Sequence, residues 1–108
     1  KIWRLIYMAY LIRVNKYTKS AKGKPCQMRL EGCMPDNETV VFAHLSGAGM
    51  GLKALPIHGA YLCLNCHDIY DGRKTVDPPY EREFIELEML RAIINTQRLM
   101  AKTGIIPL

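Results

Sequence analysis

Acidic residues are missing from the start of this chain. Residues 1–30 carry eight cations (Lys1, Arg4, Arg13, Lys16, Lys19, Lys22, Lys24 and Arg29) and no Asp or Glu. A segment of one sign attracts a polyanion with a salt-sensitive affinity, or else it remains a solvated tail, and charge alone leaves both open. Long apolar runs are missing too. Residues 1–12 (KIWRLIYMAYLI) are apolar with scattered cations, but they are too short to span a bilayer and hold no small-residue cleavage site. No export signal or membrane span is therefore expected, and a reducing cytoplasm argues against pairing the four cysteines as two disulfides. The strand pattern that a redox Cys-x-x-Cys needs is also lacking, and a redox pair leaves Cys26 and Cys33 unexplained. Internal repeats and low-complexity tracts are absent.

What is present is metal-ligand spacing. Cys63 and Cys66 stand as Cys-x-x-Cys, spaced to bite one zinc ion, and Cys26 with Cys33 can complete four thiolates. A chain of 108 residues builds one modest core and gains from such a staple. The expected division is a basic arm over residues 1–21 and a zinc-stapled domain over 22–108. Met8-Ala9 has the form of a translation start, which would leave residues 1–7 outside the natural protein.

Along the chain, residues 2–19 read as a short helix or an extended arm. Gly32, after Glu31, supplies the turn that brings Cys33 back toward Cys26. Residues 38–45 (ETVVFAHL) read as a strand ending near His44, residues 46–52 (SGAGMGL) as a flexible glycine loop, and residues 60–64 as the returning strand. A helix is expected from His67 to an interruption at Asp71-Gly72. A closing helix is expected after Asp77-Pro78-Pro79, acidic in its first half and basic in its second, with Gly104 as its stop. Phe84, Leu87, Leu90 and Ile94 recur at helical spacing, and the expectation is that this stripe packs on the zinc core or, if it exceeds what one small core covers, pairs two subunits.

In order, these pieces are ligand pair, strand, histidine, glycine loop, strand, ligand pair, histidine and helix. Through KGKPCQMRLEGC, ETVVFAHL, LCLNCHDIYDG and the closing helix, the chain resembles the HNH endonucleases, and within them the YbcO-like group of lambdoid phages and prophages. The resemblance implies an α+β treble-clef zinc finger with a ββα-metal motif and a C-terminal amphipathic helix. It implies structural Zn²⁺ on Cys26, Cys33, Cys63 and Cys66, and hydrolysis of DNA phosphodiester bonds in the cytoplasm of a bacterial host.

His44 takes the general-base role, which suits an imidazole near pH 7. His67 and Asp71, four residues apart, become ligands of a catalytic Mg²⁺ or Mn²⁺, with Asp68 as the substitute for Asp71. Arg73 holds a phosphate oxygen, and Lys22, Lys24 and Arg29 are the candidate substrate contacts. Two positions depart from the pattern. Ala43 stands where many such enzymes carry Asp or His, and the usual central Asn is replaced, with His58 standing about there. The alternative is a non-catalytic zinc module that binds DNA or a protein, in which His44 bonds a backbone carbonyl and His67 caps a helix or replaces a cysteine ligand. An RNA-directed nuclease of the same fold stays open.

Overall fold

The structure is a computed structural model that describes residues 16–46 and 55–107. The first fifteen residues of the basic arm and residues 47–52 of the glycine loop lie outside the described residues. Residues 16–20 are helical, which settles the end of the arm as helix rather than extended chain.

The fold is small and α+β. Strand β1 (Val41–His44) pairs antiparallel with β2 (Gly59–Leu62), and the register sets Val41 against Leu62, Phe42 against Tyr61, Ala43 against Ala60 and His44 against Gly59. Both strands are shorter than the expected 38–45 and 60–64. Helix α1 (Leu64–Tyr70) follows β2 directly, and helix α2 (Arg82–Lys102) closes the chain. β2 is buried along its whole length between its neighbours, which explains its unbroken apolar run.

Helix α1 begins three residues before His67, because Cys63 caps it: the sulfur accepts the Cys66 N–H at 3.5 Å. It ends where expected, with Asp71 at its C-cap and Gly72 at φ +79°. The start of α2 differs from expectation. Glu81 precedes its first turn without a side-chain cap bond, and Asp77-Pro78-Pro79 stays outside the helix. Its end is the expected glycine stop. Gly104 sits at φ +80° while its N–H reaches Ala101 O at 3.3 Å and that of Ile105 reaches Met100 O at 2.8 Å, the paired bonds of a Schellman motif.

The packing face of α2 corrects the sequence expectation. Ile85, Met89, Ala92, Ile93, Thr96 and Met100 are buried, and the helix lies mainly on β2, with only slight contact to α1. Phe84, Leu87, Leu90 and Ile94 point outward instead. The helix has apolar residues on two faces, so periodicity alone could not choose between them. Small residues and one hydroxyl decide it. Ala92 and Thr96 permit close approach to β2, and the Thr96 hydroxyl accepts the Tyr61 N–H at 3.0 Å where the exposed stripe offers no acceptor.

Candidate metal centre and the histidine face beside it

The first ligand pair is shaped by two left-handed residues. Arg29 lies at φ 56° and Gly32 at φ 81°, and Cys33 N–H closes a turn on Leu30 O at 2.9 Å. A Cβ on Gly32 would stand 2.9 Å from the Asn65 side-chain oxygen, so no larger residue fits there without displacing Asn65. Asn65 is the polar clamp of this region. Its amide donates to Glu31 O at 2.8 Å, and its oxygen accepts from Lys74, tying the first ligand turn, α1 and the chain after α1 together. Sequence reading passed over it. Its one signal is a polar residue between two ligand cysteines.

Cys26, Cys33, Cys63 and Cys66 converge with all four sulfurs within 4.8 Å of one another, and three of the four residues are buried. A tetrahedron with zinc–sulfur bonds near 2.3 Å has edges of about 3.8 Å. The Cys63–Cys33 sulfur separation is 3.8 Å. Backbone N–H groups already face the sulfurs, from Leu30 to Cys66 at 3.4 Å and from Met34 to Cys63 at 3.4 Å.

The electrostatics point the same way. Donation from the Cys66 thiol holds Cys26 down to about 4, against burial and with help from the N–H groups of Arg29, Cys63 and Met28. Burial first, and then the charge on Cys26, pushes Cys33 up to about 12. The bond to Cys26, and then burial, pushes Cys66 upward as well. The shifts favour the charged form of Cys26 and oppose it at Cys33 and Cys66, an opposition that a cation among the sulfurs would relieve. The four cysteines could thus hold a metal ion such as zinc, and the donor set and spacing suit zinc.

Past the capped turn, α1 presents a polar face. His67 Nε2 donates to Asp71 Oδ2 at 3.0 Å, one helical turn on. Arg73 forks between two carboxylates, its NH2 group on the same Asp71 oxygen at 3.0 Å and its Nε on Asp68 Oδ1 at 2.9 Å. Adjacent ligand positions on an octahedral ion with bonds near 2.1 Å are about 3.0 Å apart, so His67 and Asp71 suit two such positions. Holding an ion requires His67 Nε2 to lose its proton and Arg73 to give way at Asp71.

His44 closes β1, exposed, its ring edge-on to Phe42 with centroids 5.2 Å apart at 86°. Among the described hydrogen bonds and ion pairs, none joins the His44 side chain to the His67 group. The two elements are joined nearby by Tyr70, whose hydroxyl accepts the Ser46 N–H at 2.9 Å and meets the Ser46 hydroxyl at 3.0 Å. Arg82 covers the end of α1, donating to Tyr70 O at 2.7 Å with its guanidinium 5.1 Å from the centre of the Tyr70 ring. Ala43 is buried, and His58 sits in the turn before β2 with its Nδ1 accepting the Leu55 N–H at 3.3 Å.

The three candidate substrate cations gather around the first ligand pair. Lys22 is exposed, Lys24 half-buried, and the exposed Arg29 donates through Nε to Cys26 O at 3.2 Å. None touches the His67–Asp71–Arg73 group among the described contacts. Tyr61 and Tyr70 are buried packing residues, not exposed stacking platforms.

Residues 15–105 match the protein family described as "Putative nuclease YbcO". Two similar proteins are "Putative nuclease YbcO" of Escherichia coli (strain K12) and "Putative nuclease ybcO" of Enterobacteria phage 82. Each is 34% identical over 93 residues, covering 82% of this chain and 93% of the relative. A solved structure, "Structure of a putative bacteriophage protein from Escherichia coli str. K-12 substr. MG1655", is similar with a TM-score of 0.66 at 28% identity, covering 82% of this chain and 99% of that one.

Proposed function

From the premise that the chain belongs to the family described as "Putative nuclease YbcO", we propose that it is a metal-dependent endonuclease of the HNH type, hydrolysing DNA phosphodiester bonds with His44 as general base. The observation that carries this reading is the meeting of His67 and Asp71 at 3.0 Å on a helix whose first turn holds two of the four clustered cysteines. The order of ligand turn, antiparallel strand pair and capped helix supports the reading as a treble clef with a ββα-metal motif, in which zinc on the four cysteines would seat α1.

In this reading His44, exposed at the strand end, removes a proton from the attacking water. Its ring packs against Phe42 at right angles. Arg73, released from Asp71, holds a non-bridging phosphate oxygen by a charge-assisted bond. His67 and Asp71 would hold a divalent ion, which would supply charge for the developing negative oxygens. Lys22, Lys24 and Arg29 bind the DNA backbone without regard to sequence.

Two observations favour a second reading, a non-catalytic zinc module that binds DNA or a protein. Ala43 offers no ligand, and Arg73 already neutralises Asp71 at 3.0 Å. Plasmid nicking with Mg²⁺ or Mn²⁺, comparing wild type with His44→Ala, separates the two. Loss of nicking with retained zinc supports the enzyme; wild type that binds DNA but never nicks it supports the module.

A further inference from the structure

Helix α2 is apolar on two opposite faces. One, through Ile85, Met89, Ala92, Thr96 and Met100, is spent on β2. At 3.6 residues per turn, Phe84, Leu87, Leu90 and Ile94 fall within about 120° on the far side. They are 43, 47, 50 and 54% exposed, so the helix keeps a second stripe that the fold does not use. Tyr80 widens it, stacked on Phe84 with centroids 5.2 Å apart. A contiguous apolar stripe of this kind marks an interaction site more often than it marks bare surface.

The charges on the same face say what covers it. Glu83 stands at one end of the stripe and Arg98 at the other, about 22 Å apart along the axis. Among the described residues neither has an ion-pair partner, whereas their neighbours are paired, Arg82 with Glu86 at 3.3 Å and Arg91 with Glu88 at 3.1 Å. Unlike charges bracketing an apolar stripe are complementary to the same stripe turned end for end.

We infer that α2 pairs with α2 of a second copy of this chain, antiparallel, through Phe84, Leu87, Leu90 and Ile94. A two-fold axis between residues 90 and 91 brings Leu87 of one copy against Ile94 of the other and sets Leu90 beside its counterpart, with the two Arg91 side chains, each paired to its own Glu88 at 3.1 Å, flanking the axis. It also places Glu83 opposite Arg98 at both ends. The parallel arrangement sets like charges together and is disfavoured. The stripe alone is smaller than a standard interface, so the dimer is reversible, with a dissociation constant on the order of micromolar. This inference does not depend on the nuclease reading.

The test is sedimentation of the zinc-loaded full chain over a concentration series. Wild type should pass from monomer to dimer. Leu87→Lys and Leu90→Lys should each raise the dissociation constant at least about tenfold with circular dichroism and zinc content unchanged, because neither side chain is in the core. Glu83→Arg alone should weaken the dimer, and adding Arg98→Glu should restore it. A chain that stays monomeric throughout, whether because residues 1–15 or another protein covers the stripe, overturns the inference. A dimer indifferent to all four variants places the interface elsewhere and overturns it equally.

Discussion

The Tyr70 hydroxyl accepts the backbone N–H of Ser46 at 2.9 Å, joining the last turn of α1 to the chain just beyond β1. His67 lies three residues before one end of that bond and His44 two before the other, so a buried phenol bridges both candidate site elements. Tyr70→Phe should cost about 1 kcal/mol in urea unfolding. The nicking rate should fall several-fold under conditions where the variant is fully folded. An unchanged rate would show that the two elements are positioned without this bond.

Zinc should be found at one atom per chain, and Cys63→Ala should be the most disruptive of the single cysteine-to-alanine variants, because Cys63 is both candidate ligand and helix cap. Zinc loading should release protons, since Cys33 and Cys66 hold theirs at neutral pH without metal. Affinity should therefore fall as pH falls. Calorimetry in buffers of different ionisation enthalpy reads the proton count directly, and disulfides between the two cysteine pairs in purified protein would refute the centre.

His44→Ala should lower nicking by roughly two to four orders of magnitude while leaving zinc content and melting temperature nearly unchanged. His67→Ala should also abolish turnover, with partial recovery in excess Mn²⁺ if Asp71 and solvent can still hold an ion. Melting of the fold by His44→Ala would make the histidine structural.

DNA affinity should drop steeply with salt. When Lys22, Lys24 and Arg29 are replaced by Gln, the slope of log affinity against log salt should shrink by about 0.9 for each phosphate that is no longer neutralised. A slope that does not change would remove these three residues from the interface.

Gly59 faces His44 across the sheet, and a Cβ there would stand 2.5 Å from the Phe42 ring and 2.8 Å from Ala43 O. Gly59→Ala should destabilise the domain by about 1–3 kcal/mol. Because the displaced Phe42 packs against the His44 ring, activity should fall as well as stability. Thermal denaturation beside nicking assays compares the two.

Much of this molecule was legible in its sequence where chemistry demands a spacing. The convergence of the four cysteines was readable because metal ligands come in recognisable spacings, and the contact of His67 with Asp71 because a helix repeats every turn. Gly32, Gly72 and Gly104 were readable as turns and stops, and all three carry positive φ. The sequence was silent where the choice is made by distant partners. Which face of α2 is buried depends on the Thr96 hydroxyl meeting Tyr61 N–H, a bond between residues thirty-five apart. The start of α1 depends on a sulfur acting as a cap, which ordinary capping preferences do not anticipate. Asn65 and Gly59 matter only through what lies against them in space.

The cysteines that begin α1 and the histidine that follows them share a single rigid turn of helix. If the proposed nuclease reading holds, a chelator that strips the sulfurs would unseat His67 without ever touching a divalent ion at the imidazole, so inhibition by EDTA would report anchorage as well as chemistry. In the proposed nuclease the two sites would differ in softness, and that difference would separate them. Cadmium added back to the stripped protein should return the helix to its seat through sulfur, while magnesium alone should restore nothing.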